Sequence, residues 1–125
     1  MRAHILASVF FLWSAVTTNA SEPLTMAVSP VHSFAPMTLT IRVHVEPDAG
    51  NRALEVVAES DEYYRSSRIQ LDGDEAPRTI SLEMRNLPVG DYEVRGTLIN
   101  SLGHERSAVR KEVVVIASGG TEFTP

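Results

Sequence analysis

The amino-acid sequence predicts an all-β domain, a sandwich of about seven antiparallel strands. Three observations lead there. Between Leu24 and Ile116 apolar residues alternate with polar ones in short stretches, the period of a strand with one buried face. Clusters of Pro, Gly, Asp, Asn and Ser break the alternation at the intervals of a two-sheet fold. Past the N-terminal segment, no stretch has the apolar spacing of a helix.

The elements follow in order. Leu24, Met26 and Val28 alternate with polar or small residues up to Ser29-Pro30, a first strand, and Val31 to Pro36 is irregular. Thr38 to Val45 is the clearest strand: Leu39, Ile41, Val43 and Val45 face one way, Thr38, Thr40, Arg42 and His44 the other. A turn from Glu46 to Asn51 ends it. Ala53 to Glu59 places Leu54, Val56 and Ala58 inward and Glu55, Val57 and Glu59 outward. Tyr63 to Leu71 reads as an extended edge strand, followed by an acidic loop from Asp72 to Pro77. Ile80, Leu82 and Met84 then face in. Asp91 to Ile99 turns Tyr92, Val94 and Leu98 inward, with Gly96 expected to mark a bulge. Asn100 to Gly103 forms a hairpin turn into the last strand, Ala108 to Ile116.

The N-terminus reads as a secretory signal over residues 1–20. Arg2 supplies the positive start, Ile5 to Val16 an apolar core too short to span a membrane, and Thr18 and Ala20 the small residues of a cleavage site. Cleavage after Ala20 leaves a domain over 21–117 and a patternless tail over 118–125. No second apolar stretch follows, so no membrane insertion is expected after cleavage. The expected location is periplasmic or secreted.

Without the signal, ten basic and sixteen acidic residues remain, a formal charge of −6. Such a chain lacks the basic footprint of a nucleic-acid or anionic-membrane binder. Cysteine is absent, although an exported chain has access to disulfides. The domain must therefore be held by packing, and the absence fits a bacterial source. The sole tryptophan, Trp13, departs with the signal.

The stretch Leu87-Pro88-Val89-Gly90-Asp91-Tyr92 carries the most specific pattern. A tight turn leads into a strand whose first inward residue is tyrosine, the arrangement of a tyrosine corner. On these residues and the closing hairpin, the chain resembles the fibronectin type III and bacterial immunoglobulin-like superfamily. The resemblance implies an immunoglobulin-like sandwich. The cysteine pair and core tryptophan of antibody-type domains are missing.

Catalytic chemistry is hard to find. His32, His44 and His104 lie on separate elements without metal-ligand spacing, and no Gly-x-Ser-x-Gly turn or phosphate-binding loop occurs. Asp72-Gly73-Asp74-Glu75 has the acids and glycine of a calcium loop but no downstream glutamate at EF-hand spacing. No catalytic residue, cofactor or metal ligand is therefore assigned. The distinctive surface feature is Tyr63, Tyr64, Arg65 and Arg68. Tyrosine beside arginine suits a partner-binding patch, and arginines equally suit an edge strand that resists aggregation. The sequence thus leads to the expectation of an exported, non-enzymatic protein-binding or accessory module acting on another envelope or extracellular protein. The alternative is a structural or chaperone-like subunit of a cell-envelope system.

Overall fold

The computed structural model describes residues 22–118. The expected signal, its cleavage site and all but the first residue of the expected tail lie outside the described residues. Eight strands form: β1 (Leu24–Ser29), β2 (His32–Phe34), β3 (Met37–Val45), β4 (Asn51–Glu59), β5 (Tyr64–Gln70), β6 (Thr79–Leu87), β7 (Gly90–Asn100) and β8 (Glu105–Ile116). A 3-10 turn, Gly73–Glu75, sits in the acidic loop. The described residues contain no α-helix.

Two sheets stack face to face. One has the order β1-β3-β6, the other β2-β8-β7-β4-β5. The pairings are antiparallel except that of β2 with β8. The core is what the alternation dictates. Leu39, Ile41, Val43 and Val45 of β3 meet Leu54, Val56, Tyr92, Val94, Leu98, Val113 and Val115 of the larger sheet. Each fully buried aliphatic side chain contributes about 1.5–3 kcal/mol relative to exposure.

The structure departs from the sequence expectation at Val57, which is buried rather than outward, and in the elements that follow. β2, expected as irregular chain, is a three-residue strand that pairs in parallel with Val114–Ile116. It is too short to show alternation, and its pairing is non-local. Gly96 marks no bulge: its register with Val56 and Val109 is unbroken. Instead it makes room for β1, because a Cβ there would stand 3.3 Å from Met26 Sδ and 4.0 Å from Leu24 Cδ2. The bulge lies in β6. Leu39 pairs with Met84 and Met37 with Leu87, so β6 carries one extra residue. Asn86, at φ 62°, takes up the left-handed conformation that asparagine tolerates, and returns Leu87 to the core.

The tyrosine corner forms as expected. Tyr92 is 2 % exposed, and its hydroxyl donates to the Pro88 carbonyl at 2.7 Å. Its ring meets Tyr63 edge-on, with centroids 6.1 Å apart and planes at 74°. Close to Gly90 the chain is tight: a Cβ there would lie 3.1 Å from Ser60 Cβ. Burial raises the Tyr92 pKa above its ordinary value, with a hydrogen bond from Ser60 pulling the other way.

At the opposite end of the sandwich a polar clasp ties the β3–β4 turn to β8. Arg106 donates to Asn51 Oδ1 at 3.0 Å and to Asp48 Oδ2 at 3.1 Å. Asn51, 1 % exposed, donates in turn to the Glu46 carbonyl. Asp48 also accepts from the Gly50 amide at 2.7 Å.

Candidate functional site

The register of the larger sheet defines its outward face. Near the Gly90 end, Tyr64, Glu59, Glu93 and Glu112 stand side by side on β5, β4, β7 and β8. Three carboxylates directly across neighbouring strands repel one another. The next row partly compensates them. Arg95 Nη1 lies 2.7 Å from Glu93 Oε1 and 3.4 Å from Glu59 Oε1, and Arg110 lies 3.5 Å from Glu93 Oε2. The Glu93 hydrogen bond, more than that from Glu59, raises the Arg95 pKa. Glu112 has no ion-pair partner among the described residues, nor do Asp61, Glu62 and Asp91.

One row further toward that end the surface turns apolar. Val114 and Ile116 alternate outward on β8, while Val113 and Val115 fill the core. Phe34 is in register with Ile116 and is 56 % exposed; Val89 is 54 % exposed. Beside the β4–β5 turn runs a groove of about 640 Å³, lined by Val89, Val114 and Ile116 together with Asp61, Glu62 and Asp91. A second groove of about 310 Å³ adjoins it and is lined by Glu59, Asp61, Asp91, Glu93 and Glu112. The arrangement offers apolar contact next to uncompensated negative charge. It has the chemistry to seat a cation on an apolar body.

The residues expected to form a patch are dispersed. Tyr63 is half-buried against Tyr92 and the core. Tyr64 is 60 % exposed on the outward face. Arg68 lies on the same face, 3.8 Å from Glu55. Arg65 turns across the flank of the sandwich and donates to the Arg85 carbonyl of β6 at 3.0 Å. Asp72, Asp74 and Glu75 of the acidic loop are not gathered with other carboxylates to hold a metal among the described residues. Gly73, at φ 58°, packs so closely that a Cβ would lie 3.0 Å from the Ala49 carbonyl oxygen. The neighbouring Asp48 is engaged with Gly50 and Arg106, and Asp91 lies at the far end of β7. The groove was not singled out from the sequence. Its signal is the unbroken apolar run Val113–Ile116, which in a strand makes both faces apolar.

No protein-family model matches the chain, and no curated protein does. Solved structures do. A superoxide reductase (neelaredoxin) from Ignicoccus hospitalis superposes with a TM-score of 0.56 at 16 % identity, over 75 % of this chain and 80 % of that one. A variant of the same protein gives 0.53 at 17 % identity, over 73 % and 79 %.

These neighbours overturn three expectations. The resemblance to the fibronectin type III and bacterial immunoglobulin-like superfamily is corrected: the matching structures are superoxide reductases. The Leu-Pro-x-Gly-x-Tyr junction solves a local problem, burying a ring beneath a connection with its hydroxyl satisfied, and that solution is open to other antiparallel two-sheet folds. The expectation of a non-enzymatic binding or accessory module, or of a structural or chaperone-like subunit, falls as well, because proteins named as enzymes have this fold. With it falls the inference that so small a sandwich is not an enzyme.

At this identity the likeness shows the fold and no activity. Reducing superoxide requires a one-electron donor, supplied in proteins by a redox metal or an organic cofactor. The described residues do not fit a resident redox metal. Cysteine is absent, and among the described residues no three His, Cys, Asp or Glu side chains gather to hold an ion. His32 lies on β2, His44 on β3 and His104 in the β7–β8 hairpin, on separate parts of the surface. The chain thus shares its two-sheet fold with superoxide reductases, while its described residues assemble no redox centre.

Proposed function

We propose that the chain, once exported, takes a ligand or substrate with a cationic head on an apolar body, seated in the groove between the β4–β5 turn and the end of β8. The observation that carries this reading is the meeting of Val89, Val114 and Ile116 with the unpaired carboxylates of Asp61, Glu62 and Asp91 in one groove of about 640 Å³. The apolar wall supplies area-dependent affinity, and the acids select the sign of charge. Export rests on the Arg2 start, the short apolar core and the Thr18–Ala20 boundary.

The test is a chemical-shift titration of the isotope-labelled chain with phenethylammonium, and with hydrocinnamate as its acidic counterpart. The ammonium compound is expected to move the amides of 60–62, 89–91 and 112–117, with a Kd on the order of 1 mM for so small a ligand. The acid is expected to leave them in place. Equal response to both, or shifts elsewhere, contradicts the reading.

The fold likeness favours a second reading, superoxide reduction. Iron analysis of protein refolded with ferrous iron, paired with superoxide consumption, separates the two. Stoichiometric iron and turnover establish the second reading; absence of both removes it.

A further inference from the structure

We infer that the open edge of β5 is a docking strand for an acidic, extended segment of another exported protein, added as a further strand of the larger sheet. This surface is distinct from the acidic groove.

Four observations carry the inference. β5 pairs with β4 through an unbroken register from Tyr64 to Gln70 and has no second hydrogen-bonded neighbour, being the last strand in its sheet. Its sequence, Tyr-Arg-Ser-Ser-Arg-Ile-Gln, contains no proline, glycine or bulge, so nothing interrupts a second ladder. The facing edge of the smaller sheet, β6, does not pair with it; Arg65 spans the gap to the Arg85 carbonyl. The flank is basic. Arg65 has no carboxylate partner among the described residues, while Arg68 and Arg85 are held only by exposed ion pairs, with Glu55 at 3.8 Å and Glu83 at 3.1 Å. Exposed pairs of this kind contribute little and exchange readily for a better partner.

The charge selects the occupant. A second copy of β5 would add its own arginines to a flank that already carries Arg65, Arg68 and Arg85, an unfavourable accumulation of like charge. An acidic strand with carboxylates on both of its faces meets Arg68 on the outward side and Arg65 on the other, and a residue on its outward face packs beside Tyr64, 60 % exposed.

The probe is a capped peptide in which pairs of glutamates alternate with pairs of valines, so that both faces of the strand carry carboxylates, followed by hydrogen exchange of the β5 amides and by fluorescence anisotropy. The acidic peptide is expected to slow exchange within 64–70. Arg65→Glu is expected to weaken binding on the order of tenfold, while Arg42→Glu on the other sheet, with the same change in net charge, leaves it nearly unchanged. Should Arg65→Glu fail to fold, Arg68→Glu serves the same purpose. In the wild-type chain, raising ionic strength from about 0.05 to about 0.5 M is expected to weaken binding as well. Unchanged β5 exchange, equal effects of the Arg65 and Arg42 variants, salt-insensitive binding, or equal binding of a lysine-valine peptide each overturns the inference.

Discussion

Tyr92 shows how one side chain secures a connection. The bond from its hydroxyl to the Pro88 carbonyl, 2.7 Å long, spans the tight turn between β6 and β7, and its ring rests on Tyr63. Tyr92→Phe keeps the ring and loses the bond. It is expected to lower the unfolding free energy by about 1 kcal/mol, read as a lower urea midpoint with an unchanged slope. The same group sets a pH response. Burial raises its folded pKa above the ordinary 10.0, so the neutral form is favoured in the native state. Its contribution is fully present below the unfolded pKa and is lost as pH rises through the folded one. Stability is expected to fall as pH passes upward through the range above 10, and Tyr92→Phe to flatten that fall in a urea series taken at successive pH values. This residue was legible in the sequence because a proline-glycine turn before an inward tyrosine is a local signal. The same locality is why it did not identify the family.

Elements were legible where alternation is long and failed where pairing is non-local. β3 follows its pattern throughout, with Met37, Leu39, Ile41, Val43 and Val45 buried. Val57 of β4, expected outward, is 6 % exposed although it lies outside the main core cluster. It sits mid-strand between Ser66 and Arg95 of the flanking strands, which shield it. The bulge was expected at Gly96 because glycine is its usual marker; Asn86 carries it instead, and Gly96 answers to the approach of β1. The clasp of Asp48, Asn51 and Arg106 had no sequence signal, since Asn51 and Arg106 are brought together only by the pairing of β4, β7 and β8. Its removal gives a graded prediction. Asn51→Ala leaves the partly buried contacts to the Glu46 carbonyl and to Arg106 unmade, and is expected to cost about 1–3 kcal/mol. Arg106→Ala, whose side chain is partly in solvent, is expected to cost less. Thermal unfolding of the two variants side by side reads the order.

For the molecule as a whole, the two-sheet fold and the distribution of charge answer different questions. The fold is shared with superoxide reductases, and the donor set that redox chemistry needs is not assembled among the described residues. This chain presents an acidic end beside an exposed apolar strip, with the arginines of β5 one strand away. All-β character was readable from local alternation; the groove was not, because Asp61, Asp91 and Ile116 come from three separate stretches that only the finished sheet aligns. The most direct test measures phenethylammonium binding by chemical-shift titration in the wild-type chain and in the Asp61→Asn, Glu62→Gln, Asp91→Asn triple variant. Removing three exposed charges worth about 0.5 kcal/mol each is expected to raise Kd about tenfold while the fold and the apolar wall stay in place. An unchanged Kd in a folded variant would contradict the assignment of this groove as a cation site.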